Sequence, residues 1–179
     1  MLALLIVMTT YFSNSGGSLF LKTKKVQADT GETTLAMSQA MSRNKIPAIG
    51  RAASEGLWAM TAGGHRVFCL NSGKTMCSGD TLKYKTVNAA TYEKKGIAKA
   101  LQWYFMKSNK NTKALALTQA YIWACGHGAN KQNTVYQAGK NVQKGYSQND
   151  AKKFCETISD QDPEGTIYYY TVKKCVKKK

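Results

Sequence analysis

Two consecutive segments of helical periodicity lie between segments of β-strand character, and this order restricts the fold more than any other feature. In the stretch "YEKKGIAKALQWYFMKS" one helical face carries apolar residues, at Ile97, Ala100, Leu101, Tyr104 and Phe105. A second helix is predicted for "NTKALALTQAYIWACGHG", ending at Gly126. The short "KSNKNT" connection predicts that the two helices are antiparallel neighbours.

The segments on either side of this helical pair predict strands. Residues 57–71, "LWAMTAGGHRVFCLN", have two apolar stretches around Gly63 and Gly64, which predicts a β-hairpin. The run "TIYYYTVKKCV" is rich in branched and aromatic residues and predicts a C-terminal strand. Ser147 and Asp150 predict the start of one more helix, whereas "VYQAGKNVQKG" is ambiguous. We therefore predict a single α+β domain, a small β-sheet or barrel with an inserted helical hairpin or subdomain.

The N-terminal residues indicate export. The apolar run "LALLIVM" and the small-residue pattern at Val26 and Ala28 predict a signal peptide or export segment over residues 1–28. The run is shorter than the ~20 residues of a membrane-spanning helix, so we expect no span in the mature form and a secreted or cell-surface location. Residues 29–56 are predicted to be a polar leader with a weakly helical run, "TLAMSQAMS", and residues 57–179 the main domain.

The charge is strongly basic. Against 10 acidic residues stand 26 Lys and Arg, for a formal charge of +16, and such a balance suits an anionic cell-wall polymer. Only Arg43, Arg51 and Arg66 are arginines, and no nucleic-acid-binding motif is present, so we expect no nucleic-acid partner. Lysines spread along a chain are also typical of an ordinary solvated surface.

The five cysteines are an odd number, so at least one stays outside any set of disulfides. Four of them can form two bridges in an exported protein, with the pairing left open. The remaining thiol is then intermolecular, incidental or reactive. Cys125 and His127 lack the further ligands of a metal site, and we expect neither metal nor cofactor.

Gln119 and Trp123 are four residues apart, so they lie one above the other on the second predicted helix. Their apolar neighbours indicate a buried face that holds one amide. A buried amide must find hydrogen-bond partners, so even a purely structural Gln119 would position another segment.

Two motifs in order resemble the thioester domains of Gram-positive surface adhesins. These are "FCL", with Gly73 shortly after it, and "TQAYIW" in the second predicted helix. In that family an aromatic or Leu residue precedes a reactive cysteine, and a TQxA(I/V)W segment supports the site. Tyr121 stands where the family usually has Ala. The resemblance covers roughly residues 57–172.

The resemblance implies that Cys69 forms an internal thioester with a later Gln, supported by Thr118, Gln119 and Trp123. An amine, such as a lysine side chain of a host or surface protein, would attack the acyl carbon and leave an amide. It also implies a binding protein rather than an enzyme. Cys69 would be the cysteine left over from two disulfides among Cys77, Cys125, Cys155 and Cys175.

The acyl donor is the part of the family pattern that this sequence lacks. No Gln follows Gln161, so we expect the domain to be incomplete at its C-terminus or to form no thioester. Gln137 in "VYQAG" is a poor substitute because Gly139 interrupts its apolar flank. The alternatives are a non-covalent, basic, disulfide-stapled binding module and a cysteine hydrolase that pairs Cys69 with His127 or His65.

Overall fold

The computed structural model describes residues 4–9, 30–39, 46–47, 54–55, 58–70 and 76–176. The strands in these ranges are β1 Leu4–Thr9, β2 Thr30–Gln39, β3 Ile46–Pro47, β4 Ser54–Glu55, β5 Trp58–Ala62, β6 His65–Cys69, β7 Thr81–Asn88 and β8 Thr166–Lys174. The helices are α1 Lys95–Met106, α2 Thr112–His127, α3 Lys131–Val142 and α4 Gln148–Ser159.

Six of the described strands form a curled antiparallel sheet that closes into a barrel in the order β1-β6-β5-β2-β7-β8. Strands β3 and β4 make a separate pair. All four described helices come between β7 and β8 in the chain. The predicted fold class, an α+β domain in which a barrel carries an inserted helical subdomain, is confirmed.

The predicted turn and most predicted elements are present. Gly63 and Gly64 have φ angles of 56° and 79°, as a tight hairpin turn requires, and they join β5 to β6. The helix predicted from Ser147 is α4, and Ser147 and Asp150 form a full capping box at its start.

The predicted helical run in residues 29–50 is wrong, because Thr30–Gln39 is strand β2. Its side chains alternate as a strand requires: Leu35 is buried and Met37 half-buried, whereas Ala36 and Ser38 are exposed. One half of β2 pairs with β7 and the other half with β5. This pairing outweighs the weak helical preference of the sequence, and the sheet therefore begins before residue 57.

Strand β1 lies within the predicted export segment. Its backbone pairs with β6 on one side and with β8 on the other. Removal of residues 1–28 stays a prediction. Among the described helices, none has the length and apolar character needed to cross a membrane.

Helix α2 ends one residue later than predicted, at His127 rather than Gly126. Gly128 caps it with a φ of 65°, the left-handed conformation that glycine adopts without strain. The ambiguous segment is helix α3, whose N-cap Asn130 accepts a hydrogen bond from the backbone of Asn133 at 2.8 Å.

The helical layer packs on the barrel through Phe68 of β6. The Phe68 ring is fully buried and meets the ring of Tyr104 edge-on, with centroids 4.8 Å apart. Phe105 makes a second edge-on contact at 6.3 Å. Burial of such a ring contributes about 1.5–3 kcal/mol, and each favourable ring pair adds roughly 0.5–1.5 kcal/mol. This contact fixes β6, and with it Cys69, against the helices.

We predict that the fold loses stability in alkali. Burial raises the pKa of Tyr92, Tyr121 and Tyr170 from 10.0 to about 12. Between these values the unfolded chain releases phenol protons that the folded chain retains, so stability is complete below pH 10 and falls as the pH rises to 12. Urea unfolding at a series of pH values, followed by circular dichroism, measures the loss. A free energy of unfolding that is constant across this range would contradict it.

Candidate functional site

The side chain of Gln119 makes two reciprocal hydrogen bonds with the backbone of Cys69. The Cys69 N–H donates to Gln119 Oε1 at 2.9 Å, and Gln119 Nε2 donates to the Cys69 carbonyl oxygen at 2.7 Å. Gln119 is 3% exposed and Cys69 is 5% exposed, so water does not compete for these bonds. We call this pair of bonds the Gln119 clamp.

The clamp works because a carboxamide carries the same donor and acceptor as a peptide group. The last pair described between β5 and β6 is Met60 with Val67. Two residues further on, the Gln119 amide takes the place that a neighbouring strand would occupy. On this edge of β6 the backbone of Cys69 is thereby held by helix α2, whereas Leu5 of β1 pairs with Cys69 on the other edge.

The next residues along the same face of α2 continue this contact. Trp123 lies one turn beyond Gln119 and is 5% exposed. Gly126 follows on the same face, where a Cβ atom would come within 3.1 Å of the Leu70 carbonyl oxygen. The glycine therefore permits the close approach of α2 to the end of β6, which explains the first glycine of the "GHG" sequence.

Two polar groups of the same helix segment are buried without a hydrogen-bond partner among the described residues. They are the Thr118 hydroxyl and the Trp123 indole N–H. Thr118 is fully buried. Because an unsatisfied buried polar group costs roughly 1–3 kcal/mol, two of them beside the clamp are unusual. Such groups indicate a place where a further polar group can be accepted.

The side chain of Cys69 lies on the face of β6 opposite Phe68, because side chains alternate along a strand. Cys69 is paired with Leu5 of β1, and Leu5 with Tyr170 of β8, so the three form one row across the barrel. The Cα atom of Tyr170 is therefore about 10 Å from that of Cys69, two strand spacings away. The resemblance expects the donor Gln after this strand, and the strand itself holds a buried tyrosine in the row of Cys69.

Gln137, the substitute considered for the acyl donor, lies on α3. Its amide is 3.5 Å from the Asn133 side chain one turn earlier on the same helix. The glycine that interrupts its apolar flank has a packing role, because a Cβ atom at Gly139 would collide with the ring of Tyr146. The structure therefore brings Cys69 and Gln119 together, and it places Gln137 in a contact within its own helix.

Cys125 and Cys155 lie in the same part of the helical layer. Cys125 is one turn beyond Tyr121 on α2, Cys155 directly follows Phe154 on α4, and the Tyr121 and Phe154 rings are 6.4 Å apart. Burial raises the pKa of both thiols, and that of Cys155 reaches about 11 despite the Lys131 ammonium nearby. At neutral pH both are protonated, which makes them poor nucleophiles.

Cys77 and Cys175 lie on either side of one buried carboxylate. The Cys77 N–H donates to Asp80 Oδ2 at 2.9 Å, and the N–H of Val176, next to Cys175, donates to Asp80 Oδ1 at 2.9 Å. Cys77, Cys125, Cys155 and Cys175 are thiols in the structure. Their placement nevertheless favours one pairing of the three possible, Cys77 with Cys175 and Cys125 with Cys155.

The two histidines do not lie together. His65 is exposed at the opposite end of β6 from Cys69, about 13 Å along the strand, and its ring stacks on Tyr168 at 6.4 Å. His127 is exposed in the last turn of α2. In the described ranges no group of three or more His, Cys, Asp or Glu side chains could hold a metal ion.

The sequence motifs identified Cys69 and Gln119 but missed two residues on which the site depends. The sequence predicts only a helix end at Gly126, whereas this glycine also allows close packing of α2 on the end of β6. No motif marks Asp80, although it is fully buried and accepts hydrogen bonds from the backbones of Cys77 and Val176. The sequence "CSGD" is a signal for this residue, because an Asp three positions after Cys77 can accept a hydrogen bond from the Cys77 N–H and stabilise a turn.

Comparison of the chain with protein-family models, with curated proteins and with solved structures finds no match. The adhesin resemblance therefore rests on the two motifs and on the geometry around Cys69.

We predict that Gln119→Met lowers the free energy of unfolding by about 2–4 kcal/mol, because it leaves the Cys69 N–H and carbonyl buried without partners. Urea denaturation measures the change. Gln137→Met on α3 is the matched control and should change stability by less than about 0.5 kcal/mol. Equal stability of the two variants would show that the clamp does not hold β6.

The variant Gln119→Glu tests the same contact through pH. A carboxylate cannot donate to the Cys69 carbonyl, whereas the protonated acid can. We expect the destabilisation relative to wild type to be large at neutral pH and to shrink as the pH falls toward ~4. A pH-independent difference would mean that the loss comes from packing alone.

We predict that protein oxidised by a glutathione redox buffer contains the disulfides Cys77–Cys175 and Cys125–Cys155. Peptide mapping without reduction measures the pairing. A Cα separation of about 4.4–6.8 Å is needed for a bridge, so pairing follows proximity in the fold. A bridge between Cys69 and any of the other four would contradict both the pairing and the role of Cys69.

Proposed function

We propose that the chain is an exported surface adhesin domain of the Gram-positive thioester type, which captures an amine-bearing ligand covalently through Cys69. The observation that carries this proposal is the Gln119 clamp. It joins the two motifs of the resemblance by direct hydrogen bonds at 2.9 and 2.7 Å, although they are 50 residues apart in the chain.

The chemistry requires a thiol held in contact with a carboxamide. The Cys69 sulfur attacks the carboxamide carbon of a Gln, the C–N bond breaks, and ammonia leaves with the thiol proton. The product is a C–S bond to an acyl carbon that remains electrophilic, because sulfur donates little electron density to the carbonyl. Holding the two groups in place supplies the effective concentration that this reaction lacks in water.

Capture of the ligand is the second step. The nitrogen of an amine, such as a lysine side chain, attacks the acyl carbon and forms an amide, while the C–S bond breaks and the thiol is regenerated. Water must be kept from the acyl carbon until then. The burial of Cys69 and the Trp123 ring beside the clamp support this requirement. The unpartnered Thr118 hydroxyl and Trp123 N–H are two groups that can still bind an added acyl group.

A non-covalent, basic binding module is the second candidate. It is favoured by Gln137, the substitute donor, whose amide lies 3.5 Å from the Asn133 side chain on its own helix, and by Tyr170, which occupies the row of Cys69 in β8. The +16 charge of the chain supports this candidate as well. The two candidates differ in the mass of the purified protein.

We predict that intact wild-type protein is lighter than expected by the mass of one ammonia. Removal of an N-terminal segment changes the masses of the wild type and of Cys69→Ala equally, so the deficit is measured relative to Cys69→Ala. The Cys125→Ala variant should retain the deficit. Treatment with methylamine should abolish the deficit and leave an N-methylamide on one Gln, which peptide mapping then identifies as the donor. A wild-type mass without the deficit, together with alkylation of Cys69 by iodoacetamide, would reject the covalent function and support the second candidate.

A further inference from the structure

A cavity of about 500 Å³ opens in the helical layer, between the end of α1, the first half of α2 and the start of α4. Three lysines and three aromatic residues dominate its wall: Lys107, Lys113, Lys153, Trp103, Tyr146 and Phe154. Its volume is within the range of small-molecule sites in proteins.

The cavity carries a net positive charge. Its one carboxylate, Asp150, is engaged by the Ser147 N–H at 2.8 Å and by the Ser147 hydroxyl at 2.7 Å. These hydrogen bonds, with smaller effects of Lys153 and Lys113, lower the pKa of Asp150. Asp150 therefore stays ionised and offsets only one of the three lysine charges.

Helix α2 begins in the cavity wall. Its N-cap is Asn111, and its first turn contains no acidic residue, so the positive end of the helix dipole adds to the lysine charges. An anionic group is the ligand chemistry that this electrostatic environment favours.

The aromatic part of the wall offers ring surfaces next to these charges. Trp103 is half-buried and meets Phe154 edge-on, with centroids 4.9 Å apart. Tyr146 has the Lys113 ammonium 5.7 Å from its ring centroid. Tyr146 is 6% exposed, and its hydroxyl has no partner among the described residues. Ring faces beside cations and amides suit a ligand that combines C–H surfaces, hydroxyls and a negative charge.

We propose that this cavity binds an acidic sugar unit of an anionic polysaccharide. The ammonium groups of Lys113 and Lys153 bind its carboxylate or phosphate, and the Trp103 ring packs against its C–H face. This places the anionic-polymer binding suggested by the overall charge at one defined site.

The cavity is independent of the Gln119 clamp. Ala114 and Leu117 of α2 line the cavity, whereas Gln119, Trp123 and Gly126 face the end of β6. At 100° per residue these two sets are on nearly opposite sides of the helix. The proposal therefore goes beyond the covalent function and stands or fails separately from it.

Tryptophan fluorescence tests the proposal. Tetragalacturonate and glucose 6-phosphate are the acidic probes, and maltotetraose and glucose are their neutral controls at about 0.15 M salt, where long-range attraction is screened. We expect saturable changes in fluorescence with the acidic probes alone. The change should disappear in Trp103→Phe and remain in Trp58→Phe, whose tryptophan is exposed outside the cavity.

Matched lysine variants separate a built site from a generally basic surface. The double variant Lys113→Gln with Lys153→Gln should weaken binding at least about tenfold, as loss of charge-assisted hydrogen bonds predicts. Lys144→Gln with Lys174→Gln removes the same charge from exposed positions outside the cavity and should change the Kd less than about twofold.

Three results would overturn the proposal. They are equal binding of neutral and acidic sugars, equal weakening by the two lysine pairs, and absence of saturable binding by both acidic probes. Tetragalacturonate binding alone would identify a carboxylate ligand, and glucose 6-phosphate binding alone a phosphate ligand, each in support of the proposal. The ammonia mass deficit, measured on the same preparation, reports the covalent function and is unaffected by any of these outcomes.

Discussion

The two hydrogen bonds between the Gln119 side chain and the Cys69 backbone are the contact on which the arrangement of this domain depends. They are buried, they use both polar atoms of the amide, and they connect a barrel strand to the central helix of the inserted layer. Each bond satisfies a backbone group that would otherwise be buried without a partner. Loss of the Gln119 amide would therefore destabilise the fold. The position of Cys69 therefore depends on helix α2 of the inserted layer as well as on its strand neighbour β1.

Around this contact lie one feature that serves close packing and another that packing does not explain. Gly126 lets the helix backbone approach Leu70, and two polar groups of the "TQAYIW" segment are buried without partners in the described part of the chain. Native proteins retain such unsatisfied groups mainly where a function compensates for their cost. The opposite side of α2 has a different character, a basic cavity with aromatic walls. One helix thus borders a candidate covalent site and a candidate non-covalent site.

Much of this organisation could be predicted from the sequence because local signals and tertiary structure agree. The Gly63-Gly64 turn, the apolar face of α1 and the capping box of α4 are all readable over a few residues. The contact between Cys69 and Gln119 was predicted only through the resemblance, since no local pattern relates positions so far apart.

Other features could not be predicted because they depend on distant partners. Thr30–Gln39 is a strand because β5 and β7 flank it, although its alternation at Thr33, Leu35 and Met37 was a usable signal. Helix α3 contains Gly139, a poor helix former, because the Tyr146 ring packs where a side chain would be. The cavity brings together residues of three helices, and Asp80 connects the backbones of Cys77 and Val176, which are far apart in the chain.

The insertion of all four helices between β7 and β8 has a consequence for how the domain folds. The eight register pairs that join these neighbouring strands include Thr81 with Lys174, and the helical layer lies between them in the chain. During synthesis β8 therefore emerges only after the four helices, and until it pairs with β7 that strand has an uncovered edge. Pairing of β7 with β8 is slow, because it brings together two strands that are far apart in the chain and so costs much conformational entropy. Until β8 pairs with it, the open edge of β7 is where the chain is most able to associate with other chains.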